Sequence, residues 1–83
     1  MNRKKLLRLI AQGKTANISF ADLLDLAEGF GFEPDRIAGG HRLLKHAGLR
    51  TMLNLQPVGG QAKPYQVRQL MRLVEKHHLL LEE

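Results

Sequence analysis

Apolar residues along this chain recur at helical spacing three times and alternate once. Leu6, Leu7, Leu9 and Ile10 predict a short helix over residues 3–12, with Asn2 as its N-cap and Gly13 as its stop. A polar connector follows. Ser19 ahead of Asp22 is a helix-start signal, and Leu23, Leu24, Ala27 and Phe30 keep one face apolar until Gly31. The period then changes. Residues 32–37 predict a strand that Pro34 confines to an edge or makes irregular. Gly39 and Gly40 form a turn, residues 41–46 a second strand, and residues 47–50 another turn. Residues 51–56 alternate Leu53 and Leu55 with Asn54 and Gln56 as a third strand, ended by Pro57. Gly59 and Gly60 predict a flexible loop, and Pro64 suits the first position of a last helix. That helix carries Val67, Leu70, Met71 and Val74 on one side and Arg68, Arg72 and Lys76 on the other, and fades near His77 and His78. Tyr65, in its first turn, is expected in the core.

The predicted order is helix, helix, strand, strand, strand, helix. Without its first helix it reads α-β-β-β-α, the order of the double-stranded RNA-binding domain. The predicted class is α+β: a three-stranded antiparallel sheet with helices on one face, plus an extra N-terminal helix. Residues 1–18 form a basic helix and connector, and residues 19–83 the body of a single compact domain. Strand phase stays open in the second strand. Leu43 and Leu44 are adjacent, so alternation does not say whether His41 and Lys45 or Arg42 and His46 face inward.

Composition narrows the chemistry. A chain of 83 residues with 43% hydrophobic residues, few aromatics and no Trp must pack its core from Leu, Ile and Val. It has no Cys, which suits a reducing cytosol. The basic start followed by Leu6 and Leu7 is broken by Arg8 and lacks a cleavage signal, so no secretory leader is expected. No stretch approaches a membrane span. The net charge of +5 is segregated: residues 1–14 hold only cations, residues 15–35 only acids, and residues 36–76 are basic again. A polyanion-binding surface and a solvated cationic face both fit this distribution. The acids of the second helix lie opposite its apolar stripe, toward water or a basic partner.

One group suits catalysis. His41 follows the glycine turn and stands among cations. Imidazole as a class titrates near pH 6.5, in the range needed for proton transfer at neutral pH. No nucleophilic thiol and no metal-ligand spacing accompany it, so metal-free acid–base work without a cofactor is expected, or simple binding. His46 is expected to be structural.

The string Gly39-Gly40-His41 opening a strand, His46 near its end, an apolar third strand into Pro57, Gly59-Gly60, and Lys63-Pro64 opening the last helix resembles the HicA toxins of bacterial toxin–antitoxin systems. The resemblance spans roughly residues 19 to 80. It implies a fold similar to the double-stranded RNA-binding domain, an mRNA interferase activity in the bacterial cytoplasm, and a HicB-type antitoxin partner that covers the site. It carries the functional histidine onto His41. The family has Ser or Thr where this chain has Gly40, so a hydroxyl that would orient the imidazole or a phosphate is missing.

RNA brings its own nucleophile in the 2′-hydroxyl, so a base and nearby cations suffice for cleavage. The expected roles are His41 as general base, with Arg42, Lys45, Lys63 and Arg68 as RNA-binding cations and Gly39, Gly40, Gly59 and Gly60 as loops beside the site. The alternative is a non-catalytic RNA-binding module of the same fold. An adaptor for an acidic protein is a third reading.

Overall fold

A computed structural model describes residues 1–82. The elements are α1 (Arg3–Ala11), β1 (Ile18–Ser19), α2 (Phe20–Gly29), β2 (Phe32–Ala38), β3 (His41–His46), β4 (Leu53–Leu55), β5 (Gln61–Ala62) and α3 (Pro64–His77). The caps follow local chemistry. Asn2 Oδ1 accepts from the Lys5 amide and Ser19 Oγ from the Asp22 amide, satisfying donors that the first turns of α1 and α2 leave open.

β2, β3 and β4 form an antiparallel sheet in that order. Its register pairs Phe32 with His46, Pro34 with Leu44, and Leu44 with Leu53. Directly opposed residues share a face, so Phe32, Leu44, Leu53 and Leu55 point together into the core. There they meet Leu23, Leu26 and Ala27 of α2, Val67 and Leu70 of α3, and Leu6 and Ile10 of α1. The core is mostly aliphatic, and all three phenylalanines, Phe20, Phe30 and Phe32, are buried in it. β2 lies at the sheet edge, and its register shifts between Pro34 and Arg36. Pro34 has no N–H for a regular ladder, and the shift absorbs the misfit.

Two strands were not expected. β1 and β5 pair antiparallel, Ile18 with Ala62 and Ser19 with Gln61. Each is only two residues long, too short for alternation to register. Beside them, Gly59 and Gly60 are not a flexible loop. They sit at φ 60° and 75° in a tight turn closed by Val58 and Gln61, whose amides and carbonyls exchange hydrogen bonds. Left-handed φ at both central positions is the two-residue hairpin geometry that glycine supplies without strain. The third strand is shorter than its sequence pattern, beginning at Leu53 rather than residue 51.

The charge blocks meet each other. α1 packs along α2, where the Met1 amino group pairs with Asp22 at 3.0 Å and Arg3 with Asp25 at 2.9 Å. The basic partner expected for the acids of α2 is in part this chain's own N-terminus. Arg3 also donates to the Glu82 carbonyl, and the Glu82 amide donates to the Gly29 carbonyl, drawing residues 79–82 over the end of α2. No helix among the described residues is long and apolar enough to cross a membrane.

The return of that tail begins at His78, whose φ of 53° is left-handed and whose successor Leu79 donates to Val74 O. Glycine tolerates this position better than a residue with a Cβ. Replacing His78 by Gly is expected to stabilise the fold by about 0.5–1 kcal/mol. Thermal unfolding checks this as a rise in Tm of roughly 2–8 °C.

Candidate functional site

β3 settles the phase that its sequence left open. Leu44 is buried, so Arg42 and His46 share its inward face while His41, Leu43 and Lys45 point outward. His41 is exposed at the start of the strand, directly after the Gly39–Gly40 turn. Both glycines have positive φ, 57° and 85°, joining Ala38 to its paired neighbour His41 in two residues. Position 40 is left-handed, a conformation that glycine adopts without strain.

The imidazole is held. Its Nδ1 lies 3.0 Å from Asn54 Oδ1. A carboxamide oxygen only accepts, so a ring held by Oδ1 donates through Nδ1, and Nε2 lies outside this bond. The register that pairs Leu43 with Asn54 brings Asn54 to the same outward face as His41. In sequence Asn54 and Gln56 read only as the wet side of an amphipathic strand; their offset from His41 depends on the register of β3 with β4, which the sequence pattern does not specify.

His41, Asn54 and Gln56 line a cleft of about 240 Å³ with Tyr65, Gln66 and Gln69 from the first two turns of α3. Gln66 pins the two walls together. Its Nε2 donates to the Gln56 carbonyl at 2.6 Å and to the Tyr65 hydroxyl at 3.3 Å. Gln66 is 2% exposed, whereas Tyr65, expected in the core, is 57% exposed. Tyr65 is therefore a surface ring at the cleft, and the lining is polar and carries no formal charge apart from what His41 can take up.

The expected cations are dispersed. Arg42 points inward from the strand that carries His41, with its guanidinium 5.8 Å from the centre of the Phe20 ring and its Nε buried without a hydrogen bond. Lys45 points outward but stands four residues along β3, roughly 13 Å from His41 by strand rise, and lies 4.0 Å from Asp35. Arg68 borders a different depression, shared with Ile10, Thr15 and Glu75. Lys63 is exposed immediately before α3, whose first turn contains no acid. Lys63 is two residues before Tyr65, and Arg68 two residues after Gln66. Gly39 and Gly40 adjoin His41 directly, while the Gly59–Gly60 turn abuts the start of α2, where the Phe20 amide donates to Gly60 O.

His46 has a structural place. Nδ1 accepts from the Gly48 amide, Nε2 lies 3.0 Å from Phe30 O, and the ring meets Phe32 edge-on at 5.1 Å. With both nitrogens engaged, it fastens the end of β3 to the end of α2. No group of three or more His, Cys, Asp or Glu side chains among the described residues could hold a metal.

A side chain at position 40 would have to adopt a left-handed conformation, although a Cβ there meets nothing closer than Gln56 Nε2 at 3.9 Å. Gly40→Ser is expected to cost about 1 kcal/mol through backbone strain rather than collision, read as a lower urea midpoint with an unchanged m-value. No family model, curated protein or solved structure matches the chain.

Proposed function

We propose that the protein is a metal-independent endoribonuclease, the toxin of a toxin–antitoxin pair resembling the HicA toxins, with His41 as its general base. The observation that carries this reading is the exposed His41 ring, held at Nδ1 by Asn54 with Nε2 free at the edge of a polar cleft. A base must be solvent-reachable and oriented, and the exposed ring tied to Asn54 supports both. The order α2-β2-β3-β4-α3, interrupted by the two-residue β5, also supports a fold like the double-stranded RNA-binding domain.

In the proposed step, Nε2 takes the proton of a ribose 2′-hydroxyl and the 2′-oxygen attacks the adjacent phosphorus. The P–O5′ bond breaks, and the proton passes from the imidazolium to the departing 5′-oxygen, directly or through solvent. The ends are a 2′,3′-cyclic phosphate and a 5′-hydroxyl, and no water is consumed. Asn54 acts through His41 as a positioning residue, as the acceptor does in other oriented imidazoles. Lys63 and the N-terminal end of α3 supply positive potential beside the cleft. Arg42, turned beneath the sheet against Phe20, is assigned packing instead of phosphate contact. A HicB-type antitoxin would act by covering His41, and mRNA in the bacterial cytoplasm is the proposed target.

Incubating purified protein with RNA in EDTA tests this reading. Cutting with 2′,3′-cyclic phosphate ends is expected, and RNA retained uncut would indicate the binding module instead. His41→Ala should reduce cutting by about 100-fold or more at unchanged circular dichroism; a variant that cuts normally removes His41 from the mechanism.

Asn54→Ala should lower kcat by up to about 100-fold with little change in KM, because it loosens the ring without removing it. Asn54→Asp, which keeps an acceptor for Nδ1, should recover most of the rate. Equal loss in both variants would contradict the positioning role.

A further inference from the structure

The cleft beside His41 has a composition that proton transfer does not explain. Three further carboxamides, from Gln56, Gln66 and Gln69, and one aromatic ring surround it. Carboxamides carry a donor and an acceptor side by side, the same pairing that the edge of a nucleobase presents. Tyr65 is more than half exposed although it opens an amphipathic helix, and its hydroxyl is tethered by Gln66. Gln66 is almost wholly buried, yet its Oε1 meets no donor among the described residues. The cost of that unmet acceptor is carried by the side chain whose Nε2 holds the Tyr65 hydroxyl and the Gln56 carbonyl in place around the cleft. At about 240 Å³ the cleft is smaller than the usual site for a drug-sized ligand, a scale that suits one flat ring system.

We infer that this cleft is a subsite for a single unpaired nucleobase, stacked on Tyr65, which Gln66 tethers, and bonded along its edge by Gln56 and Gln69. The inference rests on the ribonuclease reading and deepens it by naming the substrate class as single-stranded RNA. A base in a duplex has its pairing edge occupied and its faces stacked, so it cannot enter. Entry of the base places its own ribose and phosphate beside the His41 ring, which couples recognition to cutting. The sheet fold would then be used for an unpaired strand, not for duplex shape.

The test uses a short 2′-O-methyl RNA strand, which cannot be cut because its 2′-oxygen has no proton to lose. Wild-type protein should bind the free strand at least about tenfold tighter than the same strand annealed to its complement. Charge alone works the other way, since the duplex has the denser phosphates. Tyr65→Ala should weaken single-strand binding about tenfold or more, while Tyr65→Phe stays within about threefold. Tyr65 is the chain's one tyrosine, so its ring protons are identified without ambiguity, and they should move upfield when a base stacks on them. Equal binding of strand and duplex, or wild-type affinity in Tyr65→Ala, would overturn the subsite. If RNA is still cut in that case, the nuclease reading survives alone; strand-selective binding without any cutting would preserve the subsite and remove the nuclease.

Discussion

Leu44 is the residue on which the arrangement turns. Buried in the middle of β3, opposite Pro34 on one side and Leu53 on the other, it ties the strand to the core by one side chain. Side chains alternate with a period of two, so its burial compels His41 and Lys45 outward and Arg42 and His46 inward. A slip by one residue would exchange these pairs, putting Leu43 in the place of Leu44 and sealing the candidate base under the helices. Packing thus selects the chemistry that the surface can carry.

The same division separates two histidines that look alike in sequence. His46, at the inward end of the strand, spends both ring nitrogens on backbone groups and its edge on Phe32. His41, at the outward end, spends only Nδ1. One ring is a fastener and the other leaves Nε2 outside its hydrogen bond, and the difference arises from position on a strand, not from the identity of flanking residues. Arginine follows the same rule: Arg42 looks like a phosphate ligand beside His41 but is turned away from it by its parity.

The helices were legible because each announces itself over many residues. Asn2, Ser19 and Pro64 mark the starts, and the apolar stripes of α1, α2 and α3 repeat often enough to outweigh any single exception. The Gly39–Gly40 turn was legible for a comparable reason, since two adjacent glycines suit two adjacent positive φ values. What sequence could not convey were relations across the chain. The partnership of His41 with Asn54 needs the β3–β4 register, and the cleft needs Gln66 to bridge α3 and β4. The β1–β5 pairing joins residues far apart through segments too short to carry a pattern. Tyr65 misleads because its place in the first turn of an amphipathic helix resembles that of a core residue, while its ring remains largely exposed.

The irregularity in β2 bears on how the molecule behaves in a crowd of its own copies. An open strand edge is a template for adding a foreign strand, and both edges of this sheet are poor templates. On the β2 side, Pro34 lacks a donor, the backbone kinks before Arg36, and Glu33, Asp35 and Arg36 surround the ladder with charge. On the β4 side the strand is three residues long and the carbonyl just beyond it is taken by Gln66. A small sheet with so much of its backbone at the rim thereby offers a foreign strand little to pair with, and the residue that blocks one rim also shapes the cleft beside His41.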